Sequence, residues 1–160
     1  MLSVTIIAVG KIKEKFYISA MEEYQKRLGA YCRFDVVELK DEKTPTNPSD
    51  REKELVLRCE GERIKEKIPK NAKVIALCVE GKEKSSEEFA KMLEESAVAG
   101  VSHIVFIIGG SMGLSEDVKK MADLRLSFSK MTFPHMLMRV ILAEQIYRGF
   151  TIIEGKTYHK

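Results

Sequence analysis

Apolar positions along the chain fall into two alternating rhythms. Short runs rich in β-branched residues recur at Val4–Val9, Phe34–Leu39, Val74–Val79 and Ile104–Ile108, with the length and composition of buried strands. Between these runs apolar residues return every three or four positions. Tyr17, Ala20 or Met21, Tyr24 and Leu28 form one helical stripe, with Gly29 where a helix-ending glycine belongs. Phe89, Met92, Leu93 and Ala97 form another, closed by Gly100. Ser49 with Glu52, and Ser85 with Glu88, have capping-box spacing and mark two helix starts. The first of these helices runs to about Ile68, and Gly61 inside it costs roughly 1 kcal/mol against alanine. Asp41–Asp50, with two prolines and mixed charges, reads as a connector. The order is βαβαβαβαβα, which predicts an α/β fold with a mainly parallel sheet flanked by helices.

The richest stretch is 104–135. The strand Ile104–Ile108 breaks at Gly109-Gly110, with a third glycine at Gly113. Ser115 caps a short helix whose first turn holds Glu116 and Asp117. An apolar piece, Leu124–Phe128, follows, then a polar loop, Ser129–Phe133, ending at Pro134 in the first helical position. This is a βαβ unit with two loops at one end of the sheet, where open α/β sheets bind ligands. Residues 135–148 are apolar nearly all round, more than one sheet face can cover, which suggests a subunit interface. Thr151–Ile153 reads as a final short strand.

Composition narrows the class. One domain with its own core fits 160 residues, 44% apolar and 32% charged. No apolar run approaches the ~20 residues of a membrane span, and the first residues read as a strand rather than a signal peptide. Cys32, Cys59 and Cys78 are odd in number and form no CxxC pair, so no metal site is expected and a reducing, cytoplasmic setting fits. The net charge of +3 does not announce nucleic acid. Arg125–Lys160 holds six Lys or Arg against two acids, a bias that suits either phosphate or a solvated surface.

The glycine turn lacks the Lys-Ser/Thr of a P-loop and the strand-end acid of a dinucleotide site. On the residues alone it is either a ligand-binding turn or a tight turn needed for packing.

The resemblance to a known family rests on several segments in order. They are Ala8-Val9-Gly10-Lys11, Glu23-Tyr24, Ile107-Ile108-Gly109-Gly110-Ser111 with Gly113-Leu114, and Leu126 through His135. Arg139-Val140, Glu144-Gln145-x-Tyr147-Arg148 and Tyr158-His159-Lys160 complete the set. Together they closely resemble the RlmH family of ribosomal RNA methyltransferases, in the SPOUT (α/β-knot) superfamily. The resemblance implies a C-terminal trefoil knot threaded through 127–134, a homodimer, and S-adenosyl-L-methionine as cofactor. It implies methylation of N3 of a pseudouridine in the helix 69 loop of 23S rRNA, on the assembled 70S ribosome. A SPOUT enzyme acting on another RNA such as tRNA, and a ribosome-binding protein without catalysis, are the rivals.

By resemblance, Leu77 is an apolar wall for the adenine, and Gly109 and Gly110 let backbone approach the cofactor. Leu126 and Ser127 lead into the loop Phe128, Ser129, Lys130, Met131, Thr132 and Phe133, which wraps the cofactor through backbone groups. Phe128, Met131 and Phe133 could equally be core. A general base must take the imide proton before the nitrogen attacks. His135, Tyr158 and His159 are the candidates, the last two on a tail that in this family reaches the partner's site. Arg139 is expected to hold phosphate or a substrate carbonyl. Arg148 has the same potential, or pairs with Glu144 at i, i+4. His103 reads as structural.

Overall fold

A computed structural model describes Met1–Lys160. In chain order the elements are β1 (Ser3–Val9), α1 (Lys15–Leu28), β2 (Arg33–Leu39), α2 (Asp50–Lys67) and β3 (Lys73–Glu83). They continue with α3 (Ser86–Val98), β4 (His103–Ile108), α4 (Glu116–Met121), β5 (Leu124–Ser127) and α5 (His135–Ile153). Five strands form one sheet in the order β2-β1-β4-β3-β5. Every pairing is parallel, as the alternation predicted.

Strand alternation divides the core. Val4, Ile6 and Ala8 of β1, with Ile104, Phe106 and Ile108 of β4, face one side and pack with Leu28, Leu93, Leu142 and Ile146. Ile7, Val9, Val105 and Ile107 face the other and pack with Ile64, Leu114 and Val118. The helices α1, α3 and α5 therefore cover one face, and α2 and α4 the other. Both capping boxes are present, Ser49 with Glu52 and Ser85 with Glu88. Gly61 is explained by packing: a Cβ there would stand 2.9 Å from the Ser115 Oγ that caps α4.

Two expectations about helix ends need correction. Thr151–Ile153 is the last turn of α5, not a strand. The Thr151 hydroxyl donates back to the Arg148 carbonyl, and Gly155 (φ 68°) closes the helix with its N–H on Ile152 O and the Lys156 N–H on Thr151 O. Pro134 lies just outside the helix, so His135 is its first residue. Gly29, in turn, keeps a right-handed φ of −57°.

The apolar character of α5 has an explanation within the chain. The helix is wedged between α1 and α3, burying Leu142, Ala143 and Ile146, and a Cβ on Gly149 would stand 2.9 Å from Leu93 Cδ1. Met136, Leu137, Met138 and Ile141 stay half-buried.

The β3–β5 pair is irregular. Leu126 pairs with Leu77 and again with Lys82, and β3 breaks register between them. The chain thus bends over β5, and Gly81 passes so close that a Cβ would meet the backbone carbons of Arg125 and Leu126 at 2.8 Å. This close threading accords with the knot that the resemblance implies.

Candidate active site

Three segments meet at the carboxyl end of the sheet. They are Leu77–Glu80 on β3, the turn Gly110–Leu114 after β4, and Leu126–His135 after β5. Between them lies a cleft of about 620 Å³, within the range of small-molecule sites. Leu77, Ile108 and Leu126 supply apolar walls, and Phe128 and Phe133 separate the cleft from a smaller cavity of about 260 Å³.

The loop after β5 braces itself. The Ser127 hydroxyl donates to the Ser129 carbonyl at 3.0 Å, and the Ser129 hydroxyl accepts from the Met131 N–H at 3.0 Å. Ser129, Met131, Thr132 and Phe133 line the cleft, Met131 standing 73% exposed at the rim. Lys130 is exposed and does not line it, and Ser127 is buried against the smaller cavity.

The two glycines of the turn differ. Gly110 lines the cleft. Gly109 is buried beneath it, where a Cβ would collide with the Gly113 carbonyl oxygen, and the Gly113 N–H closes the turn onto Gly110 O at 3.0 Å. The structure therefore gives Gly109 a packing duty in shaping the turn.

Charge in the lining is sparse. Lys119 pairs with Glu80 at the rim, and that bond holds the Glu80 carboxyl below its usual range. Burial pushes the Cys78 thiol up, so it stays protonated. No ring of cations surrounds the cleft, which suits a neutral aromatic base and a sulfonium.

His135 lines the cleft at the start of α5. Its Nδ1 is enclosed without a hydrogen-bond partner. Burial chiefly, then the Arg139 charge, lowers its pKa, with Asp41 and Glu14 opposing. The imidazole is therefore neutral near pH 7 and able to take a proton.

Arg139 does not reach the cleft, contrary to expectation. Its side chain has no exposed surface. It donates to Glu38 Oε2 at 2.6 Å, to Gly10 O at 2.6 Å and to Val9 O at 3.4 Å. Its two terminal nitrogens brace the ends of β1 and β2 behind His135, and these acceptors make the buried guanidinium tolerable although its Nε is left without a partner.

The tail is also apart from the cleft. Tyr158 donates to Glu144 at 3.1 Å, packs on Tyr147 and lies under the Arg148 guanidinium, 4.7 Å from its ring centre. His159 contacts Arg148 at 3.2 Å and Glu87 at 2.7 Å. Arg148 itself pairs with Glu144 at 2.6 Å. His103 bonds Thr5 Oγ1 at 2.8 Å between β1 and β4, the structural duty expected of it.

Sequence reasoning missed Cys78, Met112, Lys119 and Met138 in the lining. Nothing in their spacing marks them. It also missed Glu60, which looks like one more acid on a charged helix yet is 5% exposed. Among His, Cys, Asp and Glu no group of three is placed to hold a metal ion. No helix is long and apolar enough to cross a membrane.

Comparison with known proteins agrees with this geometry. Residues 2–159 match the family model described as Predicted SPOUT methyltransferase. The chain is 55% identical to the ribosomal RNA large subunit methyltransferase H of Clostridium beijerinckii, over 99% of this chain and 100% of that one. It is 52% identical to the enzyme of the same name from Clostridium kluyveri, with the same coverage. A parallel α/β sheet with a loop-built cleft at its carboxyl end, matched over nearly its whole length, thus belongs to the SPOUT methyltransferases and, within them, to the RlmH family.

Proposed function

We propose that this chain methylates N3 of a pseudouridine in the helix 69 loop of 23S rRNA, on the assembled 70S ribosome in the cytoplasm. The observation that carries the reading is the cleft itself. It is apolar, walled by loop backbone, poor in charge, and has one neutral imidazole on its wall. Those features fit S-adenosyl-L-methionine, with Leu77, Leu126 and Phe128 against the adenine. The turn at Gly110 and the loop Ser129–Phe133 offer backbone donors and acceptors. When bound, that cofactor supplies an electrophilic methyl group on sulfur.

The chain's own residues do the rest. The His135 imidazole would accept the N3 proton, which would free the nitrogen lone pair to take the methyl group the cofactor would supply. The loop excludes water and holds the reacting atoms in line, which lowers the barrier by fixing geometry. We place Tyr158 and His159 in a partner subunit's site within a homodimer. Their distance from their own cleft, and the half-buried apolar residues left on α5, support that arrangement.

The test is transfer of labelled methyl from S-adenosyl-L-methionine to unmethylated 70S ribosomes, separated subunits, free 23S rRNA and bulk tRNA. Label at pseudouridine in 70S particles, located by nuclease digestion and mass spectrometry, is the expected result. Label only in tRNA would move the function to another RNA. No label, with cofactor bound, would make the protein a binding module.

A further inference from the structure

Among the residues that line the cleft only Glu80 and Lys119 carry a full charge at neutral pH, and they are opposite in sign. Glu80 stands on β3, three positions after Leu77, and Lys119 stands in the last turn of α4. The Lys119 Nζ donates to Glu80 Oε1 at 2.5 Å. Arg125 holds the end of α4 in place, its Nε donating to the Lys119 carbonyl at 3.2 Å.

The pair is not saturated. The Lys119 side chain is 14% exposed, so it has given up most of its water, while Glu80 is 54% exposed. An ammonium has three N–H donors to satisfy. Glu80 takes one, and Glu116 Oε1, at 3.6 Å, is too far for a good hydrogen bond. Glu80 gives one carboxylate oxygen to Lys119 and has a second. The cleft wall therefore offers spare donors on a cation beside a spare acceptor on an anion. As a surface ion pair alone, the two would add little to stability.

A ligand matched to this wall has an uncharged body and a tail that carries an anion and a cation together. An α-amino acid group is such a tail, since its carboxylate accepts from a lysine and its ammonium donates to a glutamate. We propose that Glu80 and Lys119 form an amino-acid subsite, Lys119 holding the α-carboxylate of S-adenosyl-L-methionine and Glu80 its α-ammonium. The proposal deepens the cofactor reading of the cleft and rests on it. A zwitterion leaves both protein charges compensated when water is displaced. The subsite also sets a direction. The amino-acid end lies toward α4, on the sheet face opposite α5, and the His135 side is left to the nucleotide that receives the methyl group.

Calorimetry on the whole chain tests this with four ligands. S-Adenosyl-L-homocysteine keeps the tail on a neutral sulfur, its decarboxylated and deaminated analogues each lack one charge, and 5′-methylthioadenosine lacks the amino-acid tail. Wild type is expected to bind S-adenosyl-L-homocysteine about tenfold more tightly than either truncated analogue. In Lys119→Met the loss on removing the carboxylate is expected to shrink to within about twofold. In Glu80→Gln the loss on removing the ammonium is expected to shrink likewise. Both variants are expected to bind 5′-methylthioadenosine within about twofold of wild type, which reports a folded cleft. A carboxylate effect that survives in Lys119→Met, or an ammonium effect that survives in Glu80→Gln, would overturn the subsite. Equal affinity of the wild type for S-adenosyl-L-homocysteine and both truncated analogues would overturn it whatever the variants do. Wild type that binds none of the four ligands would instead overturn the cofactor reading, and the subsite with it.

Discussion

The two sides of the sheet follow different rules. On one side β2, β1 and β4 pair residue for residue, from Ser3↔Arg33 to Val9↔Leu39 and from Ser3↔His103 to Ala8↔Ile108. On the other, β3 slips register and bends over β5. The regular side consumes its backbone groups in ladders and carries most of the buried apolar core. The irregular side leaves loop N–H and C=O groups free beside a cleft, as bulged strands next to binding sites commonly do. Rigidity and recognition are thus separated across one sheet, and α5 joins them with Arg139 on one side and His135 on the other.

The largest expected effect strikes the irregular side. Gly81→Val would drive a branched side chain into backbone that cannot yield, unpairing β3 from β5. Calorimetry is expected to find no binding of S-adenosyl-L-methionine at concentrations that saturate the wild type. Intact binding would show that the bend is not part of the site. Next, Arg139→Ala tests the brace on the regular side. Losing its bonds to Glu38 and two carbonyls should cost about 3 kcal/mol in urea denaturation. A cost near zero would mean the brace is dispensable.

His135→Gln comes third, at roughly a hundredfold in kcat with cofactor affinity within about twofold. The pH profile sharpens this case. Burial and Arg139 disfavour the protonated ring, so the acid limb of kcat should lie below the ordinary histidine range. Activity falls as pH drops through that limb because the base is then protonated. A limb at or above the ordinary range would contradict the assignment. Ser49→Ala is the smallest, about 1 kcal/mol from lost capping of α2, with methylation unchanged at a temperature where the protein stays folded.

Local rules carried the sequence reading far. Both capping boxes, Gly100 at the end of α3, and the strand cores were legible because each depends on residues within a few positions. What failed depended on distant partners. Arg139 followed by Val140 on an apolar helix gives no sign that its guanidinium meets Glu38, 101 positions away. Nothing local to Gly81 shows its reason, which is the backbone of Arg125 and Leu126. Thr151–Ile153 was β-branched enough to suggest a strand, but a helix already wedged between α1 and α3 extends through it. The βαβ pattern put the cleft loop at the ligand-binding end of the sheet, but the roles of its residues came only from segments that match a family as a set, since its apolar residues alone fit a core equally well.

The doubled pairing of Leu126 also bears on how the chain is completed. β5 pairs with both arms of the bent β3, and these partners lie some fifty residues earlier in the chain. Long-range parallel pairing of this kind closes slowly. Two of the three segments that line the cleft, on β3 and after β5, belong to this late-closing part, so the binding site is assembled near the end of folding. A nascent chain would therefore have no cofactor cleft until its last helix had left the ribosome that made it.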